Sequence, residues 1–291
     1  MRTMIRFIAL AMALFSVCAA ENPPATSKLP SYEEAIVQYK QAREKGLLGN
    51  ALAALDRAIE ANPKRFDAYF FRAEIFTTQN KTEQAIADLS KVIEIDPKAS
   101  TAYNKRGWQE FKLNQIDRAL EDFNGYIALE PQQEPYHWQR GIVFYYAGKY
   151  DEGRKQFELH QTVNRNDVEN AVWHFMCIAR DKGFEKARAS MIPITGDYRV
   201  PMAEIYELFH GTKTPDDVLK ATKKANPSDV ELEGRTFYAH LYLGLYFEAK
   251  GDKAQAYEHI KRAATEFRAD HPMGDVARVH FKRLLGVEAA K

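Results

Sequence analysis

Cysteine is scarce in this chain, with only Cys18 and Cys177 among 291 residues. A dense framework of disulfide bonds is therefore excluded as the source of its stability. An excess of either charge is also absent, since 41 Lys and Arg face 40 Asp and Glu and leave a formal net charge of +1. That balance argues against nucleic acid as the main partner, because nucleic-acid-binding proteins usually carry a strongly basic face.

Motifs that carry chemistry are missing as well. The sequence contains no G-x-S-x-G nucleophile elbow, no Walker phosphate loop and no H-E-x-x-H zinc motif. Its eight histidines are scattered, without a pair at the one-turn spacing that a helical metal site would need. These absences predict a protein that is not an enzyme and that needs no cofactor and no metal.

The first twenty residues differ from the rest of the chain. Arg2 and Arg6 precede an apolar run at 7–17, and small residues follow it. This is the layout of a secretory signal peptide, and the run is too short to span a bilayer comfortably. We predict a signal peptide at 1–20, a proline-containing linker at 21–31, and export to the periplasm or cell envelope.

Cys18 allows two ways of processing that signal. A lipidated Cys18 would anchor the protein to a membrane, but lipoprotein signals place a small residue directly before the cysteine, and Val17 is not small. Cleavage after Ala20 fits the small-x-small rule. We expect ordinary cleavage, with lipidation at Cys18 as the alternative. Cys177 would then be the only cysteine, and its apolar surroundings at 172–178 predict a buried thiol.

An internal period of 34 residues is the strongest signal in the sequence. The positions that keep this period are the prolines Pro63, Pro97 and Pro131, the alanines Ala51, Ala85 and Ala119, and the apolar residues Leu55, Leu89 and Phe123. A second register contains the arginines Arg72, Arg106 and Arg140, each followed by a small residue. Each unit therefore reads as two helices joined by a turn, with small residues where the helices cross most closely.

The unit resembles the tetratricopeptide repeat (TPR), whose period and pattern it shares. The resemblance implies an all-α fold, a TPR helical-repeat solenoid with an irregular middle and a C-terminal TPR-like repeat plus a capping helix. We place repeats at 32–65, 66–99, 100–133 and 134–167, the last departing from the pattern at Gly153 and Arg165. A degenerate helical region at 168–236 follows, and the C-terminal repeat with its capping helix occupies 237–291.

The arrangement also resembles a narrower family, the envelope TPR lipoprotein NlpI and its relatives. The segments that carry this resemblance are QRGIVFYYAG at 139–148 and TFYAHLYLGLYF at 236–247. It implies a homodimeric adaptor that brings a C-terminal processing protease to peptidoglycan hydrolases. Val17 before Cys18 departs from that family and makes membrane anchoring conditional on lipidation.

A partner-binding groove is expected on the concave face of a TPR stack, where the first helix of each repeat lies. The positions in this register are Phe70, Asn104, Trp108, Phe111, Trp138, Ile142 and Tyr145, with Tyr146 beside them. So many large rings on a solvated face need a cover. Two covers remain open: a partner protein, or the C-terminal helices of the chain itself folding back into the groove.

The arginine register has a structural explanation. Asp88 and Asp122 follow Arg72 and Arg106 by sixteen residues, on the facing helix of the same repeat. Arginine favours bidentate carboxylate partners, so we predict two structural ion pairs. The leading hypothesis for function is a scaffold that binds proteins or peptides. The alternative is an enzyme or small-ligand-binding module built in the irregular region 190–235.

Overall fold

The computed structural model describes residues 30–289 of the chain. The predicted signal peptide, Cys18 and residues 21–29 of the linker lie outside this range. Within it the regular structure is entirely helical, with 15 α-helices and one short 3₁₀ helix. None of the helices in residues 30–289 combines the length and the hydropathy that a membrane span requires.

Eight helices form four successive hairpins in the first part of the chain. They are α1 (Tyr32–Glu44), α2 (Leu48–Ala61), α3 (Phe66–Thr78), α4 (Thr82–Ile95), α5 (Ser100–Lys112), α6 (Ile116–Leu129), α7 (Trp138–Tyr146) and α8 (Tyr150–Gln161). The 3₁₀ helix Pro131–Tyr136 precedes α7. Each helix packs against its neighbours in sequence, from α1 on α2 through to α7 on α8. The predicted all-α repeat architecture is confirmed.

Backbone conformation repeats with the same period at the end of each first helix. Gly46, Asn80, Asn114 and Gly148, spaced by 34 residues, all have positive φ, at 69°, 54°, 60° and 73°. Glycine and asparagine tolerate this left-handed conformation better than other residues do, and it turns the chain out of the helix. The second helices α2, α4 and α6 end two residues before their prolines, because proline disfavours helical geometry in the residue preceding it.

The arginine register forms a ladder between the hairpins. Arg72 donates from Nε and Nη2 to Asp88 at 2.8 and 2.7 Å, and Arg106 makes the same two bonds to Asp122. The remaining terminal nitrogen reaches back to the preceding hairpin, to Asp56 from Arg72 and to Ser90 from Arg106. Each arginine therefore ties the second helices of two adjacent repeats together.

The fourth repeat keeps the arginine but not its aspartate. Gln156 occupies the corresponding position, and Arg140 Nη1 donates to it at 3.1 Å. A carboxylate comes instead from Glu134 in the 3₁₀ helix, 2.7 Å from the same nitrogen. Arg140 Nε donates to Asn124 on the preceding hairpin, so the backward bond of the ladder is retained.

Seven helices complete the described chain. They are α9 (Val168–Lys182), α10 (Phe184–Ala189), α11 (Met202–His210), α12 (Pro215–Ala221), α13 (Asp229–Lys250), α14 (Lys253–Thr265) and α15 (Pro272–Ala289). Helix α9 packs against α7, α8, α10, α11 and α13, and its residues 170–178 are all buried. A helix that is apolar nearly all round suits such a central position. Cys177 lies in this stretch as a buried free thiol, as its apolar surroundings predict.

The crossing of α13 and α14 offers a test of close packing on a single helix. A Cβ added at Gly244 would lie 2.5 Å from Ile260 Cγ1, whereas one added at Gly234 would meet nothing within 4 Å. We expect Gly244→Ala to lower the free energy of unfolding by about 1–2 kcal/mol through overpacking. Gly234→Ala, on the same helix, should raise it by about 0.5–1 kcal/mol, because alanine favours helix. Urea unfolding measures both, and a stabilised Gly244→Ala would contradict the tight crossing.

Candidate functional site

The predicted groove residues divide into two groups in the structure. Phe111 and Ile142 are fully buried, and Tyr145 and Tyr146 are 5% and 7% exposed. The other four are half-buried: Phe70, Asn104, Trp108 and Trp138. The assignment to a partner-binding groove is therefore wrong for the buried group, and the other cover left open by the sequence applies, since Tyr145 packs on Trp173 of α9 and Tyr146 on His280 of α15.

Helix α15 provides much of that cover. Trp108 Nε1 on α5 donates to Asp275 Oδ2 at 3.0 Å, and Arg283 Nη1 donates to Asn114 Oδ1 at 3.0 Å. The hydroxyl of Tyr146 lies 2.9 Å from His280 Nδ1. The last helix thus crosses the concave side of the third and fourth repeats. Over these two repeats, the groove is therefore filled by a C-terminal helix of the chain itself.

Asn104 has a partner within the chain. Its Oδ1 lies 3.0 Å from His137 Nε2, while the Nδ1 of that ring accepts a hydrogen bond from the backbone N–H of Arg140. Burial lowers the pKa of His137 to about 4, so the ring is neutral at pH 7 and donates from Nε2 to Asn104. Asn104 therefore supports the start of α7 rather than facing a partner.

Phe70 lies apart from the other ring-bearing positions. Its ring centroid is 6.4 Å from that of Phe71 and 5.7 Å from Lys105 Nζ. It belongs to the small core between α3 and α5, whereas Trp108 and Trp138 pack against the large core that runs from Phe111 to Val279. The structure therefore brings together the third- and fourth-repeat candidates but not Phe70.

A cavity of about 260 Å³ remains beside the covered part of the groove. It opens between α7, α8, α9, α13 and the start of α15. The residues that line it are Trp138, Ile142, Phe157, Asp167, Glu169, Asn170, Trp173, Tyr238, His271, Pro272 and Met273. The half-buried rings of Trp138, Tyr238 and His271 and the exposed Pro272 leave it accessible to solvent.

One wall of the cavity is acidic. Arg199 donates to Glu169 Oε1 at 2.5 Å, to Asp167 Oδ1 at 3.0 Å and, by two bonds, to Asp197. Glu169 Oε2 also accepts a hydrogen bond from Tyr242 at 2.7 Å. Burial raises the pKa of Glu169 above its ordinary value, although Arg199 opposes this. Burial opposes ionisation of Asp197 too, but Arg199 still holds the pKa of that carboxyl below its ordinary value.

Two buried polar atoms of cavity-lining residues have no partner. They are the indole Nε1 of Trp173, in a side chain that is 1% exposed, and Oδ1 of Asn170, in one that is 3% exposed. The amide nitrogen of Asn170 is already used, donating to Phe157 O and Gln161 Oε1. Buried polar groups are nearly always hydrogen-bonded in folded proteins. One donor and one acceptor of the cavity-lining residues are thus buried without a hydrogen bond in this structure.

The titratable groups around the cavity are paired or buried. Both carboxylates of the cavity are held by Arg199. In residues 30–289 no group of three or more His, Cys, Asp and Glu side chains is placed to hold a metal ion. The thiol of Cys177 is buried, and burial raises its pKa far above its ordinary value. Reactive cysteines instead have lowered pKa values and partial exposure.

The comparisons with known proteins agree with this helical-repeat architecture. Residues 38–100 match the family model described as tetratricopeptide repeat. A tetratricopeptide repeat protein from Parabacteroides merdae superposes with a TM-score of 0.57, covering 87% of this chain and 98% of that one at 17% identity. The fold is a TPR solenoid. The MamA protein superposes on this solenoid with a TM-score of 0.50 at 17% identity, covering 54% of this chain and 85% of that one. No curated protein matches the chain.

Sequence reasoning missed most of the cavity of this TPR solenoid. Asp167 ends the fourth repeat, and Glu169, Asn170 and Trp173 follow it, where the pattern weakens. One signal was available: continuing the 34-residue count past 167 puts Glu169 at the second position of a further unit, which faces the groove in a TPR stack. Tyr238 holds the same second position in the C-terminal repeat that begins at 237, whereas His271 follows that repeat and carries no such signal.

Proposed function

We propose that this TPR solenoid is a non-catalytic adaptor that holds a segment of a partner protein at the cavity under Trp138. The observation that carries the proposal is the solvent-accessible cavity on the concave face, two of whose lining residues, Trp173 and Asn170, each have a buried polar atom without a partner. TPR solenoids are generally scaffolds whose extended concave surface binds proteins or peptides. The cavity that α15 leaves uncovered fits a single side chain or a chain end rather than a long helix.

The cellular role belongs to the same proposal. The layout of residues 1–20 supports export to the periplasm or cell envelope. The segments 139–148 and 236–247 support a homodimeric adaptor of the NlpI type, linking a C-terminal processing protease to peptidoglycan hydrolases. The alternative of an enzyme in 190–235 has less support, because Asp197 and Arg199 from that region are paired with each other.

Substituting Trp138 tests the binding site. We expect Trp138→Ala to weaken binding of a partner by about 2 kcal/mol, roughly thirtyfold, since aromatic anchors dominate interface energies. Unfolding should be affected less than for a fully buried ring, because Trp138 is half-buried. The measurement is titration of a partner captured from envelope extract, together with urea unfolding.

Tyr136→Ala is the matched control, because Tyr136 lies two residues away in the 3₁₀ helix and is 58% exposed. It should leave both affinity and stability nearly unchanged. Equal affinities for the two variants would move the partner surface away from the cavity. A stability loss for Trp138→Ala as large as that of a core aromatic would mean that the ring belongs to the core.

Export and anchoring are tested by the mass of the natural protein. We expect the intact mass of protein purified from the native envelope to correspond to a chain that begins at Glu21 and carries no acyl group, because Val17 fits a lipoprotein signal poorly. A mass that begins at a diacylated Cys18 would instead establish membrane anchoring. An unprocessed chain that begins at Met1 would contradict export.

A further inference from the structure

We infer that the cavity is a subsite for one arginine side chain of the partner's bound segment. The inference rests on the proposed function, because it names the chemistry of the partner that the adaptor would hold. Four features carry it: the charges, the rings, the unpartnered atoms and the size of the cavity.

The charges around the cavity are unequal. Asp167 and Glu169 line it, and the guanidinium of Arg199 contacts both of them and Asp197. Three carboxyl groups therefore face one guanidinium within this cluster, which makes it acidic. None of the lining residues is Lys or Arg. Burial, followed by the charge of Arg278, lowers the pKa of His271, so that ring adds no positive charge at neutral pH.

The rings around the cavity suit the same ligand. Trp138, Trp173 and Tyr238 all contribute to its lining. The faces of Trp and Tyr rings attract cations, and the attraction strengthens when water is excluded. A guanidinium is also planar and weakly hydrated, so it stacks on rings at a lower cost of desolvation than an ammonium group does. An anion would meet both the carboxylates and the ring faces unfavourably.

The unpartnered atoms complement an arginine residue in two ways. Oδ1 of Asn170 supplies a buried acceptor for a guanidinium N–H. The indole N–H of Trp173 supplies a donor, which a backbone carbonyl of the bound segment would satisfy. A partner of this kind would remove the cost of leaving both groups buried and unpaired.

The size of the cavity fits a side chain. Its volume of about 260 Å³ lies just below the roughly 300–1,000 Å³ typical of small-molecule and cofactor sites. An elongated side chain with a planar head group uses such a space, and the rest of the segment would lie across the rim at Trp138 and Pro272. The covered groove beyond it, under α15, gives a continuous helix no room.

The test compares two probes that differ mainly in charge. N-acetyl-L-arginine amide and N-acetyl-L-citrulline amide are titrated into ¹⁵N-labelled protein, and the indole N–H signals of Trp138 and Trp173 are followed. We expect the arginine amide to bind about tenfold more tightly, a difference of about 1.4 kcal/mol, because charge-assisted hydrogen bonds are stronger than neutral ones. N-acetyl-L-lysine amide should bind more weakly than the arginine amide.

A variant that removes one carboxylate tests whether the acidic wall of the cavity causes the preference for the charged probe. Glu169→Gln keeps an acceptor for Tyr242 and removes one negative charge, so the preference for the arginine amide over the citrulline amide should fall severalfold. Glu60→Gln makes the same change on the exposed surface of α2 and should keep the full preference. Unfolding curves and the indole spectrum of each variant establish that it is folded.

Several outcomes would overturn the inference. They are equal binding of the arginine and citrulline amides, tighter binding of the lysine amide, no shift at concentrations up to tens of millimolar, or a preference that survives Glu169→Gln. Capture from envelope extract separates this failure from failure of the proposed function. If a partner is captured but the arginine amide does not bind, the adaptor function stands and the arginine subsite is contradicted. If the arginine amide binds but no partner is captured, the arginine subsite stands and the adaptor function is contradicted.

Discussion

Replacing Trp173 by alanine is expected to lower the free energy of unfolding by about 3–5 kcal/mol, as for a core aromatic. The side chain is 1% exposed, and its ring centroid lies 5.4 Å from that of Tyr145 and 6.0 Å from that of Tyr146. Trp173 therefore joins the last regular repeat, through α7, to the central helix α9. Removing it leaves a hole at this junction that the surrounding rings can only partly close.

Urea unfolding followed by far-UV circular dichroism measures the loss. Tyr198→Ala is the control, since that side chain is 96% exposed and its removal should change stability by no more than about 0.5 kcal/mol. A Trp173→Ala protein as stable as Tyr198→Ala would contradict the packing of α9 on α7. Trp138→Ala should fall between the two, because Trp138 borders the same cavity with part of its ring in solvent.

Gly274→Ala should cost about 3 kcal/mol, at the upper end of what overpacking usually costs. A Cβ at this position would overlap the carbonyl oxygen of Ala269, which is backbone and cannot rotate away as a side chain would. Gly274 also lies between Met273, which lines the cavity, and Asp275, which accepts the hydrogen bond from Trp108. The substitution should therefore shift the start of α15 on α5.

A second glycine of the same helix provides the matched control. A Cβ at Gly286 would meet nothing within 4 Å, so Gly286→Ala should be neutral or stabilising by up to about 1 kcal/mol. Thermal unfolding compares the two variants, and the indole N–H signal of Trp108 reports the hydrogen bond to Asp275. If Gly274→Ala matched Gly286→Ala in stability and left the Trp108 signal unmoved, α15 would not begin as described.

The regular part of the fold was predictable because its signals are local. A proline after a second helix recurs three times at one period, and an arginine sixteen residues before an aspartate recurs twice at the same period, so these copies identify the unit. The ladder bond from Arg106 to Asp122 needs only the geometry of one hairpin. Arg140 shows the limit, because its aspartate is replaced by Gln156 and its carboxylate comes from Glu134, outside the repeat pattern.

The cover of the groove was not predictable in the same way. Trp108 and Asp275 are 167 positions apart, and no local pattern specifies that they meet. The groove register correctly picks large rings on first helices, but exposure depends on which later helix folds back over them. Trp108 and Tyr146 contact α15, whereas Trp138 borders the space that α15 leaves. Only tertiary structure separates these cases, and the same holds for Glu169 beside Tyr242.

The return of α15 to α5 also restricts how this protein can change in length over evolution. Ordinary repeat arrays gain or lose units by duplication, because each unit contacts only its neighbours. Here a unit inserted between α5 and α15 would carry the last helix past its partners, separating Asp275 from Trp108 and Arg283 from Asn114. Helices α1 to α4 pack mainly on their neighbours in sequence. Repeats can therefore be added by duplication at the N-terminal end of the stack without disturbing these contacts, but not between α5 and α15.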